Sequence, residues 1–263
     1  MNTVTTTRTI DVPGIGPVDV SYVERGRGRA YLLLHGGAGP FSVAGFADLL
    51  AAIGDAAVLV PTHPGFSATP RPDTLTSVRG LAALYVGLLD DLDLRDVTVV
   101  GNSIGGWIAA EMALLDSDRV ARVVLVDAVG VVVDGYSVAD VFTMDIGEVM
   151  KLSYFDPQKF LIDPSTIPEA QRAVIAGNFA TLRVYAGESS MGDATLLARL
   201  EGIDVATLVL WGEADRIAEP GYGRAFANAI PGAHFRVLPS CGHLPQIETP
   251  QQLLDEITDF AGH

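Results

Sequence analysis

Residues 97–107 read VTVVGNSIGGW. The first four, Val97 to Val100, are a β-branched apolar run of strand type. From Ser103 onward the spacing of Ile104, Trp107, Ile108 and Ala110 predicts a helix that runs to about Leu115. A strand that passes straight into a helix needs a sharp turn, and small residues stand at Gly101 and Gly105, where that turn must close. The serine between them is expected in a strained conformation at a helix N-terminus, where the helix dipole favours developing negative charge.

Outward from this turn the chain repeats short, solidly apolar runs: AYLLL (30–34), AAVLV (56–60), RVVLV (122–126), ATLVLW (206–211) and FRVL (235–238). Continuous runs of this length suit a parallel sheet covered on both faces. Ahead of them, TVTTTRTI, a turn through Pro13-Gly14-Ile15-Gly16 and the alternating VDVSYVE predict a strand pair. Between Ser77 and Leu92 the residues Leu81, Leu84, Tyr85, Leu88, Leu89 and Leu92 form one helical stripe, with Thr76 or Ser77 as its cap. A last helix is expected from Pro250 to about Ala261, with Leu253, Leu254, Ile257 and Phe260 facing inward.

One stretch breaks the rhythm. From Val126 to Ala206 roughly eighty residues pass without a convincing core strand, too many for a plain loop. A strand extension at VGVVV (129–133) is the one candidate. The rest carries Tyr136, Phe142, Tyr154, Phe155, Phe160, Phe179 and Tyr185, with helical patterns broken at Asp156-Pro157, Asp163-Pro164 and Ile167-Pro168. The expected architecture is α/β: a mostly parallel central sheet with helices on both faces. Residues 1–128 and 204–263 would form the core, and 129–203 a mostly helical cap over the carboxyl edge of the sheet.

Composition sets the outer limits. At 263 residues, 49% apolar and 19% charged, the chain can bury a sizeable core, and wholesale disorder is excluded. Seventeen Lys and Arg stand against thirty-two Asp and Glu, a net charge of −15. Such a surface repels phosphate backbones and anionic lipid, so neither nucleic acid nor membrane is an expected partner. Cys241 is the one cysteine and can form neither an intrachain disulfide nor a zinc site by itself. The start, MNTVTTTRTIDVPGIG, has no apolar core of signal-peptide length, which makes the cytoplasm the expected compartment.

Gly101-Asn102-Ser103-Ile104-Gly105, between strand and helix, resembles the nucleophile elbow of α/β-hydrolase fold proteins, and the resemblance extends over nearly the whole chain. It implies a catalytic serine, acid and histidine in that chain order. LVLWGEADRIAEP (208–220) resembles the family's acid loop and puts the acid at Asp215; LPSCGHLPQIETP (238–250) resembles the histidine loop and puts the base at His243. Ser103 would then be the nucleophile, His243 would take its proton, and Asp215 would fix the imidazole tautomer. Asp127, after RVVLV, is a competing acid, because some members place it there.

LLLHGGAGP (32–40) resembles the family's His-Gly loop, which implies an oxyanion hole made by the backbone N–H groups of Gly37 and Ile104, with Gly36 as an alternative to Gly37. His35 and, in PTHPGFSATPRP (61–72), His63 are expected to order their loops. Trp107 and Cys241 are expected to pack, and Arg172 and Arg183 to lie on the surface. Acyl transfer by such a triad implies no metal and no organic cofactor.

Serine at the elbow sets this chain apart from haloalkane dehalogenases and epoxide hydrolases of the fold, which use aspartate there. Proline iminopeptidases resemble the loop through His35-Gly36-Gly37 but carry tryptophan where Ile104 stands. Haloperoxidase-like members and cofactor-free oxygenases keep the triad. The leading expectation is a serine hydrolase acting on a small apolar carboxylic ester or lactone through an acyl-enzyme. The alternative is a C–C hydrolase of the meta-cleavage-product type, which Gly101-Asn102-Ser103, Gly105-Gly106 and Phe155-Asp156-Pro157 resemble; that group commonly has tryptophan after the histidine, where this chain has Leu244. A reading of a different class is a small-molecule receptor on the same fold. A homodimer is left open.

Overall fold

The apolar runs all become strands. In a computed structural model that describes residues 4–160, 166–187 and 191–262, β1 (Thr5–Val12) and β2 (Gly16–Arg27) form the expected antiparallel pair. They are followed by β3 (Arg29–Leu34), β4 (Ala56–Thr62), β5 (Val97–Asn102) and β6 (Val120–Val126). After the short β7 (Gly130–Val131) and β8 (Gly192–Asp193), β9 (Ala206–Gly212) and β10 (His234–Leu238) complete the set. Eight of them make one sheet in the order β1-β2-β4-β3-β5-β6-β9-β10. β2 runs antiparallel to both of its neighbours, and the other pairings are parallel.

Period-two alternation sorts the strand side chains between two cores. Tyr31, Leu33, Val124, Leu208 and Leu210 pack with α1 (Phe41–Ala51) and the C-terminal helix α10 (Pro250–Ala261). Their neighbours Leu32, Leu34, Val123, Val209 and Trp211 pack on the other face with α2 (Val78–Asp91), α3 (Ile104–Ala113) and α8 (Pro220–Asn228). Both faces are thus covered, as the unbroken apolar strands require. Ser77 rather than Thr76 caps α2: its hydroxyl accepts the Gly80 N–H at 3.1 Å.

Between β6 and β9 the described residues are mainly helical: α4 (Ile146–Ser153), α5 (Pro157–Phe160), α6 (Glu169–Ala186) and α7 (Leu196–Arg199). A reciprocal capping box between Asp145 and Glu148 opens α4. Pro157 begins α5 and Pro168 precedes α6, so these prolines start helices where the pattern breaks. The Asp163-Pro164 break lies outside the described residues. The VGVVV extension reduces to Gly130 and Val131, which pair with β8 outside the main sheet. The cause is local: Gly130 has φ +117°, and a Cβ there would lie 2.4 Å from Trp107 Cγ, so the chain bends over the indole. No helix among the described residues is long and apolar enough to cross a membrane.

Candidate active site

Parallel strands share one carboxyl edge, and four neighbours in the sheet, β5, β6, β9 and β10, are each followed by one residue of interest. These are Ser103, Asp127, Asp215 and His243, every one of them buried. The topology alone therefore brings together groups up to 140 positions apart in sequence, as His243 and Ser103 are.

The elbow is as tight as its sequence suggests. Ser103 has φ 58° and ψ −120°, outside the regions that L-residues favour. A Cβ on Gly101 would lie 2.1 Å from the Gly105 carbonyl oxygen, and one on Gly105 would lie 2.4 Å from that of Leu34. Backbone bonds fix the strained residue on both sides: its N–H donates to Val126 O at 2.9 Å, and its carbonyl accepts from Gly106 and Trp107. Ile104 is the first residue of α3, so its N–H is among those a helix leaves without an intrahelical acceptor.

Asp215 and His243 meet. The His243 Nδ1–H donates to Asp215 Oδ2 at 2.7 Å, which fixes the tautomer and leaves Nε2 as the other ring nitrogen. Asp215 Oδ1 accepts the N–H groups of Ile217 and Ala218 at 2.8 and 3.1 Å. Gly212 has to be glycine for the two loops to approach, since a Cβ there would lie 2.0 Å from the Gly242 carbonyl oxygen. Asp127 stands beside the pair and receives the Gly212 N–H on Oδ1 at 2.7 Å.

The glycine loop closes on the elbow, where a Cβ at Gly36 would come within 3.2 Å of Ser103 Cβ. Two buried histidines hold that loop. His35 Nδ1–H donates to the Gly36 carbonyl and Nε2 accepts the His63 N–H, while His63 Nε2–H donates back to the His35 carbonyl. Tyr85 completes the set with a hydrogen bond to His63 Nδ1. Burial pushes the His63 imidazole down to about 4 and that of His35 well below its ordinary range, so both stay neutral. Their part is to order loops, as expected.

Ser103, His243, Gly36 and Gly37 line one cavity of about 670 Å³. Its other walls are mostly aliphatic, from Val141, Ile146, Val149, Val174, Ile175 and Leu182. Of the seven aromatics between β6 and β9, only Tyr154 and Phe179 reach it. Arg172 and Arg183 are exposed and outside it. Trp107 and Cys241 are core residues.

Two side chains make contacts of evident consequence that have no local signal. Asn102 Nδ2 donates to the His243 carbonyl at 3.0 Å, and its Oδ1 accepts from Gln246 Nε2 at 3.1 Å, so the elbow is tied to the histidine loop. Glu248, at the end of α9 (Pro245–Glu248), takes the N–H groups of Gly242 and Phe155 at 2.7 and 2.9 Å. The His243 N–H itself donates to the Ser153 carbonyl at 2.7 Å.

Known proteins share this arrangement of chain. The protein is 26% identical to the 2-hydroxy-6-oxo-6-phenylhexa-2,4-dienoate hydrolase of Burkholderia cepacia, over 91% of this chain and 90% of that one. It is 28% identical to the 2-hydroxymuconate semialdehyde hydrolase of Pseudomonas putida, over 90% and 88%. Among solved structures, a thermophilic esterase from Thermogutta terrifontis superposes with a TM-score of 0.76 at 24% identity, over 97% of each chain. The sequence profile described as the alpha/beta hydrolase family matches residues 31–256, and the chain belongs to that family.

Proposed function

We propose that this hydrolase cleaves a small, neutral, apolar carboxylic ester or lactone through an acyl-enzyme on Ser103. His243 takes the serine proton and returns it to the leaving alkoxide, and Asp215 holds the imidazole and balances its charge. The N–H groups of Gly37 and Ile104 receive the oxyanion. Residues 129–203 act as the cap, since most of the aliphatic lining comes from them. The observation that carries the substrate class is electrostatic: the cavity's described lining includes no Lys, Arg, Asp or Glu. Segments 161–165 and 188–190 contain no Lys, Arg or His in their sequence either. A carboxylate moved into such a space would give up its hydration and meet no cation there, only neutral groups such as Gln171 and Asn178.

A second reading is C–C hydrolysis of a dienoate, favoured by the names of the relatives that match over nine-tenths of the chain. Their substrates are carboxylates by name, and the lack of a Lys or Arg in the cavity's described lining weighs against that reading here.

Paired assays of the purified protein and Ser103→Ala, on short-chain p-nitrophenyl esters and on a meta-cleavage dienoate, separate the two. Ester turnover that depends on Ser103, with the dienoate left intact, is the expected result. Preference for the dienoate overturns the substrate class, and full ester activity in Ser103→Ala overturns the triad.

A further inference from the structure

Asp127 is a fully buried acid to which the proposed triad gives no task. It follows β6 with φ +46°, and its Oδ1 accepts the Gly212 N–H. Its Oδ2 is buried and receives no hydrogen bond from any described donor. One carboxylate oxygen of Asp127, one of Asp215 and one ring nitrogen of His243 lie within 4.8 Å of one another.

Two negative charges this close in a dry site repel one another, and a proton on one of the two carboxyl groups relieves the repulsion. The anion settles where more donors meet it. Asp215 has three: the N–H groups of Ile217 and Ala218 and His243 Nδ1–H. Asp127 has one. We propose that Asp127 is a neutral carboxylic acid whose Oδ2–H donates to the Asp215 carboxylate, so that it serves as a positioning residue behind the triad acid. The proposal rests on the reading of Ser103, His243 and Asp215 given above.

Burial, then the charge of Asp215, pushes the Asp127 carboxyl well above the usual carboxylate range. The other ionisable groups that face it act in the same sense or stay silent. Glu248 on α9 adds negative charge, and Cys241, after β10, has its thiol pushed up by burial and stays uncharged. A neutral donor at this place satisfies Asp215 without water and without a second charge beside His243. An ionised Asp127 would instead be a second negative charge on the imidazole, and so a rival triad acid.

The two states predict opposite shifts. Asp127→Ala removes the donor and leaves the Asp215 charge less satisfied, so the imidazolium is better stabilised and the acid limb of the kcat/KM–pH profile moves up. That variant should also lose about tenfold or more in kcat/KM. Asp127→Asn should rescue it, because asparagine tolerates φ +46°, its amide N–H donates to Asp215 and its oxygen still accepts from Gly212. If Asp127 is ionised, both variants remove a negative charge beside His243 and the acid limb moves down, by about one pH unit or more; that result overturns the proposal. A merely structural Asp127 would lower Tm in the alanine variant and leave the pH profile in place, which also overturns it.

Infrared difference spectroscopy of the wild type against Asp127→Asn at neutral pH gives a readout free of turnover. A protonated carboxylic acid band present in the first and lost in the second is expected, and its absence overturns the proposal. Failure of the hydrolase reading would appear in the Ser103→Ala assay and leave this band untouched.

Discussion

Ser103 carries its strain because everything around it has been made small or fixed. Positive φ in a residue with a side chain costs about 1–3 kcal/mol, and it persists only where the surroundings over-determine it. Gly101 and Gly105 provide the space, and Val126 O, Gly106 N and Trp107 N provide the hold. His35 and His63 hold the facing loop by a different device, a closed set of bonds in which each ring nitrogen has one role. That device needs neutral imidazoles. Folded His63 binds its proton only near pH 4, whereas the unfolded chain binds it near 6.5. Its contribution to stability is therefore fully present above about pH 6.5 and falls as pH drops through the window to 4, by about 3 kcal/mol in all, with His35 adding in the same direction. Tm measured against pH should flatten above 6.5 and fall steeply below it. A His63→Gln variant, which cannot take up that proton, should fall less over the same window; parallel curves for the two proteins would refute this account.

Elements, more than residues, decide how the histidine loop meets the rest. Glu248 on α9 draws in the N–H groups of Gly242 and Phe155, so one carboxylate joins the loop before His243 to the segment between α4 and α5. Hydrogen bonds to a charged group contribute about 2 kcal/mol each, and Glu248→Ala should lower Tm by roughly 4–8 °C if about one such bond's worth is lost net. With the Gly242 anchor gone, kcat should fall as well while KM for a short ester stays near its parent value. Unchanged Tm and kcat would show that Ser153 O alone suffices to seat His243. This bond also marks where the sequence stops being legible. Strands such as RVVLV and helices such as α2 declare themselves through apolar period, and Gly101-Asn102-Ser103 declares its turn through residue size. Asp215 and His243 were found only through their resemblance to known loops. Asn102 bound to His243 O, Asp127 beside Asp215 and Glu248 on Phe155 N are contacts between distant parts of the chain, and they leave no trace in local pattern. The strand expected over 129–133 shortens to β7 for a related reason: valines favour a strand, but Gly130, at φ +117°, lies directly against the indole of Trp107, a contact that local pattern does not show.

At the scale of the whole molecule, a cavity whose described lining carries no Lys, Arg, Asp or Glu is set within a chain of net charge −15. The two features act on a substrate at different distances. The field reaches out about 10 Å at 0.1 M salt and disfavours the approach of any anion, and the cavity then offers an anion no cation to replace its water. A neutral ester meets neither obstacle. For a neutral p-nitrophenyl ester, kcat/KM should stay within about twofold as ionic strength rises from about 10 to 300 mM. For an ester of equal length that ends in a carboxylate, kcat/KM should be much lower at low salt and rise several-fold across that range, as screening removes the repulsion. A fall with salt for the carboxylate substrate would mean that a cation attracts it on its way to Ser103. In that case the dienoate reading would replace the ester reading, and the exposed Arg172 and Arg183 would be the first side chains to remove in search of the charge responsible.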